Sequence, residues 1–244
     1  MLRSLMAVAV VALACCGVAD AAPAPTDAAF RETLRAQMRE KFTHGAGELV
    51  AAYIQAHPAE YQAFETKVID DLLNDKLDAA ATKTYVAEFS QRVRKQAGEA
   101  TRAAPDDDVV GVAQAQLAAM RFAAQTNYRV CYELHENHGL TVETAMTVGP
   151  QLRGKLGKMT AAQAQAIAAG ERAPVVHATP AATDVTAVME TYFKAGGSGD
   201  WMKAMGANTT DKMTPAERCQ GSIRWLEAIV AQPKPVAARV FLGS

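Results

Sequence analysis

Apolar residues recur at intervals of three and four along almost the whole chain after residue 26. This spacing puts them on one face of an α-helix, whereas a half-buried β-strand would show a period of two. Alternation with a period of two lasts only a few residues, at 174–177 and 238–242, which is too short to build a sheet. The pattern therefore predicts an all-α protein, folded as an irregular multi-helix bundle.

The sequence between the apolar stripes predicts where helices begin. Thr214-Pro215-Ala216-Glu217 combines a capping threonine, a proline at the first helical position and a glutamate at the third, so a helix is expected from Pro215 to about Ala231. In the same way, Thr160 and Gln163 predict the start of a short helix that ends near Gly170.

Asp106, Asp107 and Asp108 form an acidic N-terminus for a further helix, because carboxylates there accept from free amides and oppose the helix dipole. The apolar stripe continues from this point through Cys131, and Gly139 is a suitable C-terminal residue. One long helix is therefore expected from residue 106 to residue 138.

Residues 1–21 have the pattern of a secretory signal peptide. Arg3 supplies the positive charge, residues 5–14 are an apolar run too short to cross a bilayer, and Ala19-Asp20-Ala21 is a small–x–small cleavage pattern. We expect cleavage after Ala21, an extended leader over residues 22–26, and export, with the periplasm as the destination.

Cys15 and Cys16 leave a second outcome open. They follow the apolar run, where a bacterial lipoprotein carries its modified cysteine, and Leu13-Ala14-Cys15-Cys16 resembles a lipobox. Neither cysteine fits the lipobox fully. If Cys16 is the anchor, Cys15 precedes it where glycine or alanine is usual; if Cys15 is the anchor, Leu13 lies two residues before it, where a small residue is preferred. A lipid anchor to the membrane is therefore the alternative to ordinary cleavage.

Cys131 and Cys219 are the two cysteines that remain after the leader is removed. In an oxidising compartment a pair of cysteines is usually a disulfide. Each cysteine lies on the apolar stripe of a predicted helix, so packing of the two stripes would bring them together. We expect one disulfide between them, although two separate buried thiols are the alternative.

The predicted break at residues 103–105 suggests two helical halves. The first covers residues 27–102, and the second covers residues 106–244, with a proline-containing linker at 171–182. The expected disulfide would link the two sides of that linker within the second half.

Glu133, His135 and His138 are candidate metal ligands. The two histidines are three residues apart, so both imidazoles share one helix face and could bind one metal ion. A third ligand would have to come from elsewhere in the chain. The alternative is that these histidines interact with the carbonyl groups at the end of the predicted helix.

Trp201, with Met202 and Met205, is a candidate partner-binding patch. These large apolar residues follow a glycine-rich turn, and an exposed aromatic beside two methionines is typical of a binding surface. The alternative is a hydrophobic plug beneath a loop.

Arg31, Arg35 and Arg39 lie opposite the apolar stripe of the first predicted helix. Two other polar faces are expected to lie in solvent. One carries Arg92, Arg94 and Lys95. The other carries acidic residues opposite Phe64, Val68 and Leu72, and its members are Glu65, Asp70, Asp71, Asp75 and Asp78.

Composition and residue surroundings exclude some classes of function but do not identify one. With 25 basic and 26 acidic side chains the net charge is −1, so a nucleic-acid binder is not expected. The serines after the leader are Ser90, Ser198, Ser222 and Ser244, and none has the surroundings of a nucleophile. We expect a non-catalytic helical protein, without a cofactor, that binds another protein in the cell envelope. A metal- or small-ligand-binding protein and an envelope hydrolase are the alternatives.

Overall fold

A computed structural model describes residues 27–45, 48–74, 76–136, 140, 144 and 147–243. This described part contains eleven α-helices, one 3-10 helix (Thr210–Lys212) and no strand, which confirms the all-α prediction. The α-helices are α1 (Asp27–Gly45), α2 (Glu48–Ala56), α3 (Pro58–Leu73), α4 (Ala79–Arg102), α5 (Asp106–Ala123), α6 (Tyr128–Glu136), α7 (Pro150–Arg172), α8 (Ala182–Lys194), α9 (Gly199–Gly206), α10 (Pro215–Val230) and α11 (Lys234–Gly243). Cys15, Cys16 and the rest of the predicted leader lie outside the described residues.

The start of α10 matches its prediction. The backbone N–H of Glu217 donates to Oγ1 of Thr214 at 3.3 Å, and the backbone N–H of Thr214 donates to Oε2 of Glu217 at 2.9 Å. These reciprocal bonds satisfy amides that have no partner within the helix. Hydrogen bonds from Thr214 also hold the pKa of the Glu217 carboxyl below its usual value.

The prediction of a single long helix from residue 106 is wrong, because the chain forms α5 and α6 instead. Between them, Oδ1 of Asn127 accepts from the backbone N–H groups of Arg129 at 3.0 Å and Val130 at 3.4 Å. Asparagine competes with helix continuation by capping a new helix start, so α6 begins afresh. Tyr128, at the start of α6, is exposed, and Gly139, the expected end of the long helix, lies outside the described residues.

The prediction of a short helix that starts at Thr160 is also wrong, because α7 runs unbroken from Pro150 to Arg172. Proline at the first position supplies the helix start. Buried apolar residues on both sides of Thr160, including Met159 and Ile167, keep the helix continuous through the cap-like sequence.

Two apolar cores lie along the chain. The first is built from residues between Phe42 and Ala100, and the second from residues between Ala104 and Val240. α7 contributes to both, since Ala164 and Ile167 belong to the first core and Met159 belongs to the second. The division into halves at 103–105 stays a prediction, and α7, which lies in the predicted second half, contributes to the first core as well.

The disulfide between Cys131 and Cys219 is present. It links α6 to α10 with a Cα–Cα distance of 5.5 Å, and both cysteines are fully buried. The bond closes a separation of 88 residues, and the chain-entropy relation gives such a loop about 4–5 kcal/mol of stabilisation. The second core is therefore closed covalently across the linker.

α7 passes very close to the end of α4 at Gly170. A Cβ atom on Gly170 would lie 1.9 Å from the backbone oxygen of Ala100, so no larger residue fits without movement of the backbone. Gly157, in the same helix, is exposed, and no atom lies within 4 Å of the position of its missing Cβ. Two glycines of one helix therefore face opposite environments.

We predict that Gly170→Ala lowers the free energy of unfolding by about 1–3 kcal/mol, because α4 and α7 must separate. Gly157→Ala should raise it by up to about 1 kcal/mol, because alanine favours the helix and meets no neighbour. Urea unfolding followed by circular dichroism measures both changes. Equal effects of the two substitutions would contradict the close approach at Gly170.

Candidate functional site

Glu133, the first candidate metal ligand, is a buried hydrogen-bond acceptor. Its Oε1 accepts from Nε of Arg129 and from Oγ1 of Thr144, each at 2.9 Å. These bonds tie α6 to residue 144. His135 is half-buried in the same helix, and His138 lies outside the described residues.

Across the part of the chain that the structure describes, no three His, Cys, Asp or Glu side chains are arranged to hold a metal ion. The hydrogen bonds from Arg129 and Thr144 give the carboxylate of Glu133 a structural role, and the metal site stays a prediction.

No helix within the described ranges combines the length and the apolar character that a membrane span requires.

The expectation of an exposed patch at Trp201 is wrong. Trp201 is 2% exposed, and its ring centroid lies 5.6 Å from that of Tyr192 and 6.3 Å from that of Trp225. A Cβ atom on Gly221 would lie 2.2 Å from the indole, so the indole packs directly on the backbone of α10. Met202 and Met205 are half-buried against the same core. The tryptophan is thus the hydrophobic plug that was the alternative.

The expectation that Glu65 lies in solvent is wrong, because it faces the arginines of α1. Asp78 is exposed as expected, and Asp75 lies outside the described residues.

Arg39 of α1 donates through Nε and Nη2 to the two carboxylate oxygens of Glu65 in α3, at 3.2 and 3.3 Å. Nε of Arg35 lies 3.8 Å from the same carboxylate, and Arg31 pairs with Asp70. Glu65 is 0% exposed. These five residues are called the Glu65 cluster below.

The spacing within the Glu65 cluster explains why it forms. Arg31, Arg35 and Arg39 are four residues apart and so share one face of α1, while Glu65 and Asp70 are five apart on α3. The residue order is reversed between the helices, as antiparallel packing requires. The hydrogen bond with Glu65 raises the pKa of the Arg39 guanidinium above its ordinary value, so Arg39 stays charged.

A cleft of about 500 Å³ lies beside the Glu65 cluster, between α1, α2 and α3. Its lining residues are Arg39, Phe42, Ala51, Ile54, Gln55, Pro58, Tyr61, Gln62, Glu65 and, from α7, Thr160. Tyr61 is 7% exposed, and its hydroxyl is buried with no hydrogen-bond partner among the described residues. Burial, followed by the nearby charge of Glu65, raises the pKa of Tyr61 above its ordinary value.

The connector of residues 173–181, between α7 and α8, is fixed at two places. The backbone N–H of Val175 donates to the carbonyl of Ala103 at 2.7 Å. The imidazole of His177 lies 2.7 Å from the carbonyl of Ala104 through Nε2 and 3.3 Å from the carboxylate of Asp106 through Nδ1. The connector is therefore held against the start of α5.

Val176 projects from this fixed connector and is 97% exposed. Val175 beside it is 40% exposed. This surface could not be predicted from the sequence, because the segment has no helical period and its contacts are with residues about seventy positions away.

Arg39→Ala should lower the free energy of unfolding by about 1–3 kcal/mol, because it removes the two hydrogen bonds of a fully buried carboxylate. Glu65→Gln should cost less, because it removes the buried charge and keeps one of the two acceptor oxygens for Arg39. Lys95→Ala, at an exposed position of α4, is the control and should change stability by less than about 0.5 kcal/mol. Chemical unfolding measures all three. A larger loss for Glu65→Gln than for Arg39→Ala would contradict this interpretation.

Comparison of this chain with protein-family models, with curated proteins and with solved structures finds no match in any of the three. The function is therefore inferred from the geometry of the chain itself.

Proposed function

We propose that this chain is an exported helical protein that acts without catalysis by binding another protein in the cell envelope. The leader pattern of residues 1–21 supports export. The buried disulfide between Cys131 and Cys219 supports an oxidising destination such as the periplasm, since such bonds persist there. Lipidation at Cys15 or Cys16 is the alternative that would attach the protein to the membrane.

The exposure of Val176 is the observation that carries the binding proposal. Removing a valine side chain from water is worth about 1.5–3 kcal/mol, and in the free chain Val176 gains none of this. Because hydrogen bonds at Val175 and His177 already fix the connector, little further ordering is required when a partner covers it. An apolar side chain held rigidly in solvent is a favourable contact point for another protein.

Site-specific photocrosslinking in the producing cell tests the proposed surface. With p-benzoylphenylalanine in place of Val176, we expect one discrete adduct that is lost when Val175→Asp is added, because the carboxylate opposes apolar burial. The same photoreactive residue in place of Lys203, which is 85% exposed on α9, is the control and should give no such adduct. Equal adducts at the two positions, or none at 176, would contradict the proposal.

The intact mass of uncrosslinked protein from the same preparation reports its export. A chain that begins at Ala22 supports cleavage of the leader, and a lipid-modified cysteine at the N-terminus supports the anchored form. A mass that retains Met1 would argue against export.

A further inference from the structure

His177 lies in the connector of residues 173–181, and both nitrogens of its ring face acceptor groups. The side chain is 9% exposed. Nε2 lies 2.7 Å from the carbonyl oxygen of the buried Ala104, and Nδ1 lies 3.3 Å from Oδ1 of Asp106. A carbonyl oxygen only accepts hydrogen bonds, and so does an ionised carboxylate. Each ring nitrogen therefore meets its partner favourably when it carries a proton.

The neutral form of this ring cannot serve both groups. It carries one proton, and the bond to Ala104 requires that proton on Nε2, which leaves a lone pair on Nδ1 facing the carboxylate of Asp106. In the imidazolium form both nitrogens carry protons, and the ring attracts the carboxylate by its charge. The geometry around His177 thus favours the charged ring.

The three carboxylates at the start of α5 have different partners. Asp107 lies 2.8 Å from Nζ of Lys234 in α11, and Oδ1 of Asp108 accepts from Gln165 of α7 at 2.8 Å. The ion pair of Asp106 is with the imidazole of the connector. Loss of a proton from that imidazole therefore changes a contact that the neighbouring carboxylates do not share.

Two positive groups near this ion pair oppose a charge on the ring. One is the N-terminal end of α5, whose free amides carry partial positive charge. The other is Arg239 of α11, which interacts with Asp106. The guanidinium of Arg239 donates at 3.0 Å to both carboxylate oxygens of Asp184 in α8, so its charge is partly neutralised there.

The charged residues at the ends of α4 and α7 have other surroundings. Nη1 of Arg102 lies 3.8 Å from the position of the missing Cβ of Gly98, one turn back along α4. Glu171 lies 2.9 Å from Nε2 of His57, and Arg172 is exposed. The contact with the start of α5 is therefore the ion pair of the connector imidazole.

We infer that His177 is a pH-sensitive latch: its charged ring holds the connector against the start of α5, and loss of one proton loosens this hold as the pH rises. Histidine side chains change their charge between about pH 5 and 8, so the latch would respond within this range. The same connector carries Val176, so the latch would control how firmly the proposed partner surface is presented. That link to partner binding rests on the proposed function, whereas the latch itself does not.

Hydrogen exchange of the free, oxidised chain, followed by NMR, tests the latch without a partner. The backbone N–H of Val175 donates to the carbonyl of Ala103, so its protection from exchange reports whether the connector is held. After correction for the intrinsic exchange rate, we expect this protection to fall about three-fold or more from about pH 5.5 to about pH 8, as one hydrogen bond is weakened. The N–H of Ile229 in α10 is the reference and should change less, which separates local release from global unfolding.

Three variants assign the pH response to the latch. His177→Gln keeps a side-chain donor without a titrating group, so its Val175 protection should be the same at both pH values. Asp106→Asn removes the charge that the ring faces and should reduce the change to about half or less. His57→Gln is the matched control, because His57 is paired with the end of α7 instead, and it should respond as the unsubstituted chain does.

Equal protection of Val175 at the two pH values in the unsubstituted chain would overturn the latch, and so would an unchanged pH response in His177→Gln. A full response in Asp106→Asn would overturn the part assigned to Asp106. These measurements need no partner, so a failure of crosslinking at Val176 would count against the proposed function and not against the latch. Circular dichroism checks that each variant is folded.

Discussion

Helix α7 is the element on which the rest of the fold depends, because it is shared by two apolar cores. Ala164 and Ile167 on this helix belong to the first core, together with residues of α1 to α4, and Met159 belongs to the second core. At Gly170 the same helix meets the backbone of Ala100 so closely that a side chain is excluded. A packed interior tolerates little displacement, so the position of α7 fixes each core relative to the other.

α7 lines the cleft beside the Glu65 cluster and also leads into the connector of residues 173–181. Thr160 of α7 reaches the wall of the cleft beside the Glu65 cluster. At its other end, α7 leads directly into the connector that carries Val176, and that connector is held by the carbonyl groups of Ala103 and Ala104. The disulfide stabilises the second core by joining α6 to α10.

The features predicted correctly from the sequence are those decided by neighbouring residues or by the burial of apolar stripes. The capping box at Thr214 and Glu217 is complete within four residues, so its helix start was predicted correctly. The pairing of Cys131 with Cys219 was also predicted, because each cysteine lies on an apolar stripe and two stripes have to meet. Each of these features depends on neighbours in the sequence or on a simple rule of burial.

The errors concern features that are decided by distant residues. Thr160 has the sequence of a helix start, yet the two cores on either side of α7 keep the helix continuous. Glu65 was expected in solvent, because a polar stripe looks solvated until the arginines of another helix are known to face it. Trp201 is buried because Gly221, in another helix, leaves room for its ring. The cleft and the exposed Val176 likewise arise from contacts between segments that are far apart in the chain.

Hydrogen exchange of the oxidised chain is the most direct test that α7 couples the two cores. Ile167→Ala removes a side chain that α7 places in the first core, and we expect it to speed amide exchange in α2 and α4 and also in α5 and α10. Val68→Ala is the control, because Val68 lies in the first core on α3, away from the shared helix, and its effect should be strongest in α2 and α4. If the effect of Ile167→Ala stays within α2 and α4, as for Val68→Ala, the two cores are independent and the central role assigned to α7 is wrong.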